Sequence, residues 1–445
     1  MAEFRIEAFH NPYLPLGART VHAVVTVTMS ATNSTQPGGG TDAADDRWEL
    51  LMVDTSGSMN GKKLRAAKEA TNSAVDCIPD GARFGIIAGK HTAELAYPAE
   101  PPLAVSSAAT RNEAKAMVKT FEASGGTAMG SWIELATELL KEATGIRHAI
   151  LLTDGKNESE DPWVLDEALA AAEGVFQCDG RGVGADWEVA ELRKVATALV
   201  GTYDIVADPA LLEEDFSAMM LQSLSKQVAD VALRVWTPQG AETVSIKQLE
   251  PPPPLDLTGG RVDAGPLAGD YITGSWGDES RDYHLEVRVP VGEIDDEMLA
   301  ARVTLLVGGE PAGQCLVPAI WTDDAAKSTR MNHRVAAALG EQELASAIQD
   351  GIDALRSGDD STATNLLGKA VRLAKDAGNE DALDRLHQVV DEDPVTGRVR
   401  PKPKVDRIDL MTLETRSTKA SKRAKPQPTH DSAPPGVPSP PEARA

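Results

Sequence analysis

The chain has 445 residues, 42% of them apolar and only 4% aromatic, with a formal net charge of −24. That length exceeds one ordinary domain and suits roughly two to four, with cores built from Ala, Val, Leu and Ile. The acidity argues against generic binding to nucleic acid or to an anionic membrane.

The first residues, MAEFRIEAFHNPYLPLGART, carry Glu3 and Glu7 and no long apolar run, so they do not read as a signal peptide. No stretch approaches the roughly 20 apolar residues that span a membrane. The three cysteines, Cys77, Cys178 and Cys315, are far apart and form no CxxC pair, which suits a reducing compartment. The expectation is a soluble cytoplasmic protein.

HAVVTVTMS alternates apolar and polar like a half-buried strand, and STQPGGGTDAADD (34–46) reads as a loop. WELLMV (48–53) is a short apolar strand. An amphipathic helix over 62–78 stops at Pro79-Asp80-Gly81, and 83–89 with 92–97 reads as a hairpin. Helices are expected over 110–123 and 130–144. RHAILLTDG (147–155) is a second buried strand that stops on an aspartate. Helix 166–174, strand 175–184, helix 189–201, strand 203–208 and helix 212–227 follow. Apolar strands alternating with helices imply an α/β unit, a doubly wound and mostly parallel sheet, over 46–227.

From 228 the pattern changes to short alternating strands between Pro- and Gly-rich turns, marked by PPPP at 251–254. This reads as a β-sandwich over 228–324, and the strands of 1–45 are assigned to it because the α/β unit has no place for them. Amphipathic helices fill 325–392. Residues 393–445 are rich in Pro, Lys, Ser and Thr and are expected to be a disordered basic tail.

Three loops carry the candidate chemistry. Asp54-Thr55-Ser56-Gly57-Ser58 follows the first apolar strand, Gly125-Gly126-Thr127 precedes a helix, and Thr153-Asp154-Gly155 follows the next long apolar strand. In an open α/β sheet, ligands bind beyond the carboxyl ends of the strands, so Asp54, Ser56, Ser58, Thr127 and Asp154 can converge there. Any one loop alone is as well explained by helix capping. The five together offer only hard oxygen donors, which suit Mg²⁺, or Mn²⁺ or Ca²⁺, rather than zinc. With two charged groups among five, the set does not saturate an octahedral ion. One position stays open, and the carboxylate of an incoming Asp or Glu would complete it.

The DTSGSM stretch, the later GGT and the later LLTDG resemble the von Willebrand factor A domain family with its metal-ion-dependent adhesion site. The resemblance covers roughly 46–226. It implies that Ser56, Ser58 and Thr127 contact the metal directly and that Asp54 and Asp154 act largely through water. The flanking sandwich is similar to that of intracellular, actinobacterial-looking A-domain proteins and, more distantly, of inter-alpha-inhibitor heavy chains. By resemblance the protein is a non-enzymatic, Mg²⁺-dependent interaction module that binds an acidic residue of a partner protein. The alternative is a substrate-recruiting subunit of a MoxR- or chelatase-type AAA+ ATPase.

Other features are blander. His91 and His148 are lone histidines, expected in core or surface roles, and no Ser-His-Asp or Cys-His set is evident. Asp179-Gly180-Arg181-Gly182 lacks the Lys-Ser/Thr of a phosphate loop. Trp236, Trp276 and Trp321 are expected in the sandwich core. The run Glu158-Ser159-Glu160-Asp161 reads as a solvated loop able to tune partner choice. In the tail, Thr412, Thr415, Ser417 and Thr418 have basic neighbours, and a phosphothreonine at Thr412 or Thr415 could dock on a forkhead-associated domain in a signalling scaffold.

Overall fold

The computed structural model describes residues 2–31, 46–394 and 396–417, so most of the loop expected over 34–46 lies outside the described residues. The chain opens with strands β1 (Ala2–His10), β2 (Tyr13–Pro15) and β3 (Thr20–Ala31). A second group follows: β4 (Arg47–Asp54), β5 (Arg83–Gly89), β6 (Ala93–Tyr97), β7 (Ala104–Val105), β8 (Ile146–Thr153), β9 (Gln177–Val183) and β10 (Tyr203–Val206). These form one sheet in the order β10-β9-β8-β4-β5-β6, with β7 beside β5. β10, β9, β8, β4 and β5 run parallel, while β6 and β7 are antiparallel to β5.

Successive side chains of a strand point to opposite faces, and the apolar run of β4 exploits both. Leu50 and Met52 face helices Met129–Leu140, Pro162–Ala172 and Val189–Ala198. Leu51 and Val53 face helices Lys62–Cys77, Ala108–Lys119 and Leu212–Leu224. This is the doubly wound α/β unit expected from the alternation of strands and helices.

The sandwich uses β11 (Val228–Trp236), β12 (Glu242–Glu250), β13 (Leu255–Asp256), β14 (Arg261–Asp263), β15 (Ala268–Trp276), β16 (Glu279–Arg288), β17 (Glu297–Val307) and β18 (Glu310–Thr322). One sheet has the order β1-β3-β16-β12-β13 and the other β14-β15-β11-β17-β18-β2. The chain leaves the sandwich after β3 and returns at β11, so the α/β unit is an insertion into it. Trp276 and Trp321 are buried in the sandwich core. Trp236 is half-buried instead, with the Arg302 guanidinium 5.3 Å above its ring.

Helices His333–Ser357, Asp360–Asp376 and Glu380–Val389 share a core of Leu344, Ile348, Ile352, Leu367, Val371 and Leu386. Each starts on an Asx side chain that accepts a backbone N–H: Asn332 from Arg334 at 3.0 Å, Asp359 from Thr362 at 3.0 Å and Asn379 from Ala382 at 2.9 Å. Among the described residues no helix is long and apolar enough to cross a membrane.

The expectation of a disordered tail from 393 is wrong for its first part. Strand β19 (Val390–Glu392) pairs with β20 (Val399–Pro401), and a helix spans Arg407–Thr415. Met411 enters the α/β core and Leu413 the helical core. Glu414 is buried, bonded to Arg356 at 2.5 Å and within 3.6 Å of Arg193. Arg416 donates to Asp204 at 2.9 Å. Ion pairs of Glu414 and Arg416 with the folded unit, and apolar residues at helical spacing, thus hold the segment down. Thr415 and Ser417 are buried and Thr412 is half-buried, so the folded chain does not present Thr415 to a kinase or a forkhead-associated domain. Thr418 lies outside the described residues.

Candidate metal centre

β4 ends on Asp54 between β5 and β8, and the loop after it is stitched to its neighbours through backbone groups. Thr55 N–H donates to Gly89 O at 2.7 Å, Ser124 N–H to Thr55 O at 2.8 Å and Gly57 N–H to Gly125 O at 2.8 Å. Gly125 sits at φ +74°, the left-handed region that glycine enters without strain. The 124–127 loop is thereby fixed against the Asp54–Ser58 loop.

The third loop closes on the other two. Ser159 N–H donates to Thr127 O at 3.0 Å. Asn157 Oδ1 accepts from Met129 N–H at 2.7 Å, and Glu160 Oε1 accepts from Gly130 N–H at 2.6 Å. These contacts cap the Met129–Leu140 helix, where an anion is favoured. The acidic run is therefore not simply a solvated loop: Glu160 is committed to the helix start, while its neighbours Glu158, Ser159 and Asp161 are exposed.

All five candidate residues meet at the carboxyl edge of the sheet. Ser56 Oγ lies 3.0 Å from Ser58 Oγ, and Ser58 Oγ donates to Asp154 Oδ1 at 2.6 Å. A Cβ at Gly155 would stand 2.8 Å from Thr127 Oγ1 and 3.3 Å from Ser58 Oγ, so those two hydroxyls flank one small gap. Asp54, Ser56, Thr127 and Asp154 are buried, and Ser58 is exposed at the mouth. Asp54 is held by Ser56 N–H at 2.7 Å on one oxygen and by the Thr153 hydroxyl at 2.6 Å on the other. Burial, aided by the charge of Asp154, pushes the Asp54 carboxyl above its ordinary range, and these hydrogen bonds oppose the rise. Two buried carboxylates beside three hydroxyls form a donor set that a hard dication would neutralise. Among the described residues no group of three or more His, Cys, Asp or Glu is placed to hold a metal ion.

Three neighbours were not foreseen in these roles. Thr153 orients Asp54, and Gly155 leaves the gap. Lys63 donates to Asp154 Oδ2 at 2.6 Å and reaches Asp186 at 3.3 Å. A lysine in the first turn after DTSGSM was the available signal for the last of these, since helix starts disfavour cations.

Of the two histidines, His91 borders the 124–127 loop and His148 lies apart from the donor set. His91 is exposed, and its ring fills the space above Gly125, where a Cβ would stand 2.3 Å from Nδ1. His148 is buried near the amino end of β8, five residues and about 16 Å of strand from Thr153. It bonds Glu49 at 2.8 Å and Asp179 at 3.0 Å. Around it Arg47 donates to the carbonyls of Ser223 at 2.9 Å and Lys226 at 2.7 Å, tying the α/β unit to the start of the sandwich.

Comparison with known proteins agrees with the fold. Residues 50–205 match the profile of the von Willebrand factor type A domain, and 372–417 match that of the von Willebrand factor type A C-terminal domain. The second match takes in the Arg407–Thr415 helix. A von Willebrand factor type A structure from Catenulispora acidiphila is 45% identical, with a TM-score of 0.88 over 94% of this chain and 97% of that one. The ArnB paralog VWA2 of Sulfolobus acidocaldarius shares the fold at 15% identity and a TM-score of 0.55, covering 94% of this chain and 98% of its own. An uncharacterized Synechocystis protein is 29% identical over 168 residues, 36% of this chain and 37% of that protein. Bovine inter-alpha-trypsin inhibitor heavy chain H4 is 28% identical over 192 residues, 41% of this chain and 20% of its own length. The chain thus spans well under half of these two curated relatives. From the profile matches, the shared fold and the full-length likeness to the Catenulispora structure, the chain belongs to the von Willebrand factor type A family.

Proposed function

We propose that the protein is a non-enzymatic interaction module in which a divalent cation, Mg²⁺ first, is held by Asp54, Ser56, Ser58, Thr127 and Asp154. The ion captures the carboxylate of an Asp or Glu on a partner protein. The observation that carries this reading is the convergence of five oxygen donors from three loops at the carboxyl edge of the sheet, with Thr127 and Ser58 flanking the gap at Gly155. Domains of this family mediate protein interactions, which supports the same reading.

A bound dication would supply an electrophilic centre with a position left for an external carboxylate. The chain's own groups do the rest. Thr153 and Ser56 N–H fix Asp54, and Ser58 and Lys63 fix Asp154. Ser58, exposed at the mouth, borders the side from which a partner would approach. The groups hydrogen-bonded to these carboxylates are hydroxyls, a backbone amide and an ammonium. No imidazole or further carboxylate stands among them as a general base, which favours binding over hydrolysis.

The test is affinity capture with the full chain in Mg²⁺, in EDTA, and with Asp54→Ala and Ser56→Ala. The reading expects one set of partners retained in Mg²⁺ and lost in the other three conditions, with circular dichroism unchanged. Partners that survive EDTA and both substitutions would overturn it.

A further inference from the structure

Lys63 is the second residue of the Lys62–Cys77 helix, whose first turn holds no acid. A cation there meets the positive end of the helix dipole, and adjacent Lys62 is left exposed. Lys63 instead turns toward the sheet. Its Nζ lies 2.6 Å from Asp154 Oδ2, with the lysine side chain 24% exposed and the aspartate fully buried. Its Cε would stand 3.7 Å from a Cβ at Gly184, so the stem runs along the 184–186 turn, where exposed Asp186 adds a weak second pairing at 3.3 Å. One oxygen of Asp154 thus serves Ser58 and the other serves Lys63.

We infer that Lys63 is an internal counter-charge of the metal centre, lowering its affinity for the free dication and raising the affinity of the loaded site for a carboxylate. The inference rests on the metal-dependent reading above and concerns the regulation of that site. Asp54 and Asp154 together balance a dication. Without Lys63 the loaded site would be formally neutral, and with it the site carries one positive charge in excess. Repulsion between two cations sharing Asp154 weakens metal retention. The same excess charge draws an anionic ligand to a site beside which the exposed Asp186 would repel it. Lys63 therefore couples the two binding steps, so that the metal is held most firmly when a carboxylate is present.

The experiment uses the full chain and its Lys63→Met and Lys63→Arg variants. Mg²⁺ alone is titrated calorimetrically. Trifluoroacetate is then added to Mn²⁺-loaded protein, and its ¹⁹F relaxation reports whether the anion reaches the ion. Lys63→Met is expected to bind Mg²⁺ about tenfold more tightly than wild type and Lys63→Arg within about threefold of it. Trifluoroacetate relaxation should fall in Lys63→Met and persist in Lys63→Arg. A lysine that merely held Asp154 in place would instead give weaker metal binding on removal. Equal or weaker Mg²⁺ affinity in a folded Lys63→Met overturns the inference while leaving the metal-dependent reading intact. Failure of both wild type and Lys63→Met to bind Mg²⁺, with or without added carboxylate, overturns both.

Discussion

The buried His148 predicts a specific loss of stability at alkaline pH. Its ring lies between Glu49 and Asp179, and all three sit on adjacent parallel strands at the amino edge of the sheet. Burial alone would lower its pKa, but the two carboxylates overcome that and raise it from 6.5 to about 9. Its charge in turn holds Asp179 well below the ordinary carboxylate range despite burial. Because the folded state keeps the proton to higher pH, the contribution is complete below 6.5 and is lost as pH rises through about 9. The interval between the two values corresponds to about 3 kcal/mol. The assay is urea unfolding between pH 6 and pH 9.5 for wild type and His148→Gln. Wild type should lose about 3 kcal/mol more than the variant across that range. Equal slopes in the two proteins, or an imidazole titration by NMR with its midpoint below 7, would refute the reasoning.

Two further substitutions probe other parts of the account. Gly155→Ala places a methyl 2.8 Å from Thr127 Oγ1 and 3.3 Å from Ser58 Oγ, so Mg²⁺ affinity should fall at least about tenfold by calorimetry, with the fold retained. Unchanged affinity would mean that these hydroxyls do not share a ligand. Glu414→Ala removes the buried carboxylate shared by Arg356 and Arg193, and because both arginines are a third or more exposed it should cost only about 1 kcal/mol while releasing 407–417 to hydrogen exchange. Continued protection of that helix would show that Met411 and Leu413 suffice to dock it.

The sheet, the sandwich and the donor set were legible because each leaves a periodic or ordered trace. The apolar run of β4 ends on Asp54 and that of β8 is followed at once by Asp154, and a strand that runs into a carboxylate at a sheet edge is a local signal. What escaped depends on partners distant in sequence. His148 looked solitary because Glu49 and Asp179 are 99 and 31 residues away. Glu160 looked solvated because the helix start it caps lies 30 residues upstream. The tail misled through composition. Lys and Pro outweighed the pattern Ile408, Leu410, Met411 and Leu413, which together with Asp406 accepting from Ile408 N–H at 2.8 Å is an ordinary capped amphipathic helix.

The resulting picture is of one α/β unit inserted in a sandwich and clamped by a C-terminal helical segment that touches the α/β core. The clamp lies toward β10 and the Val189–Ala198 helix, and among the described residues Ser58 of the candidate site stays exposed. A partner could therefore reach the site without displacing the C-terminal helices.

The central claim is that three loops hold one dication through Ser56, Ser58 and Thr127 beside Asp54 and Asp154. Crystals grown with Mn²⁺ test it most directly through anomalous scattering. The account predicts a single strong peak within coordination distance of all three hydroxyl oxygens, absent from Ser56→Ala crystals grown the same way. A wild-type map with no peak there, or with Mn²⁺ bound elsewhere on the protein, would contradict it.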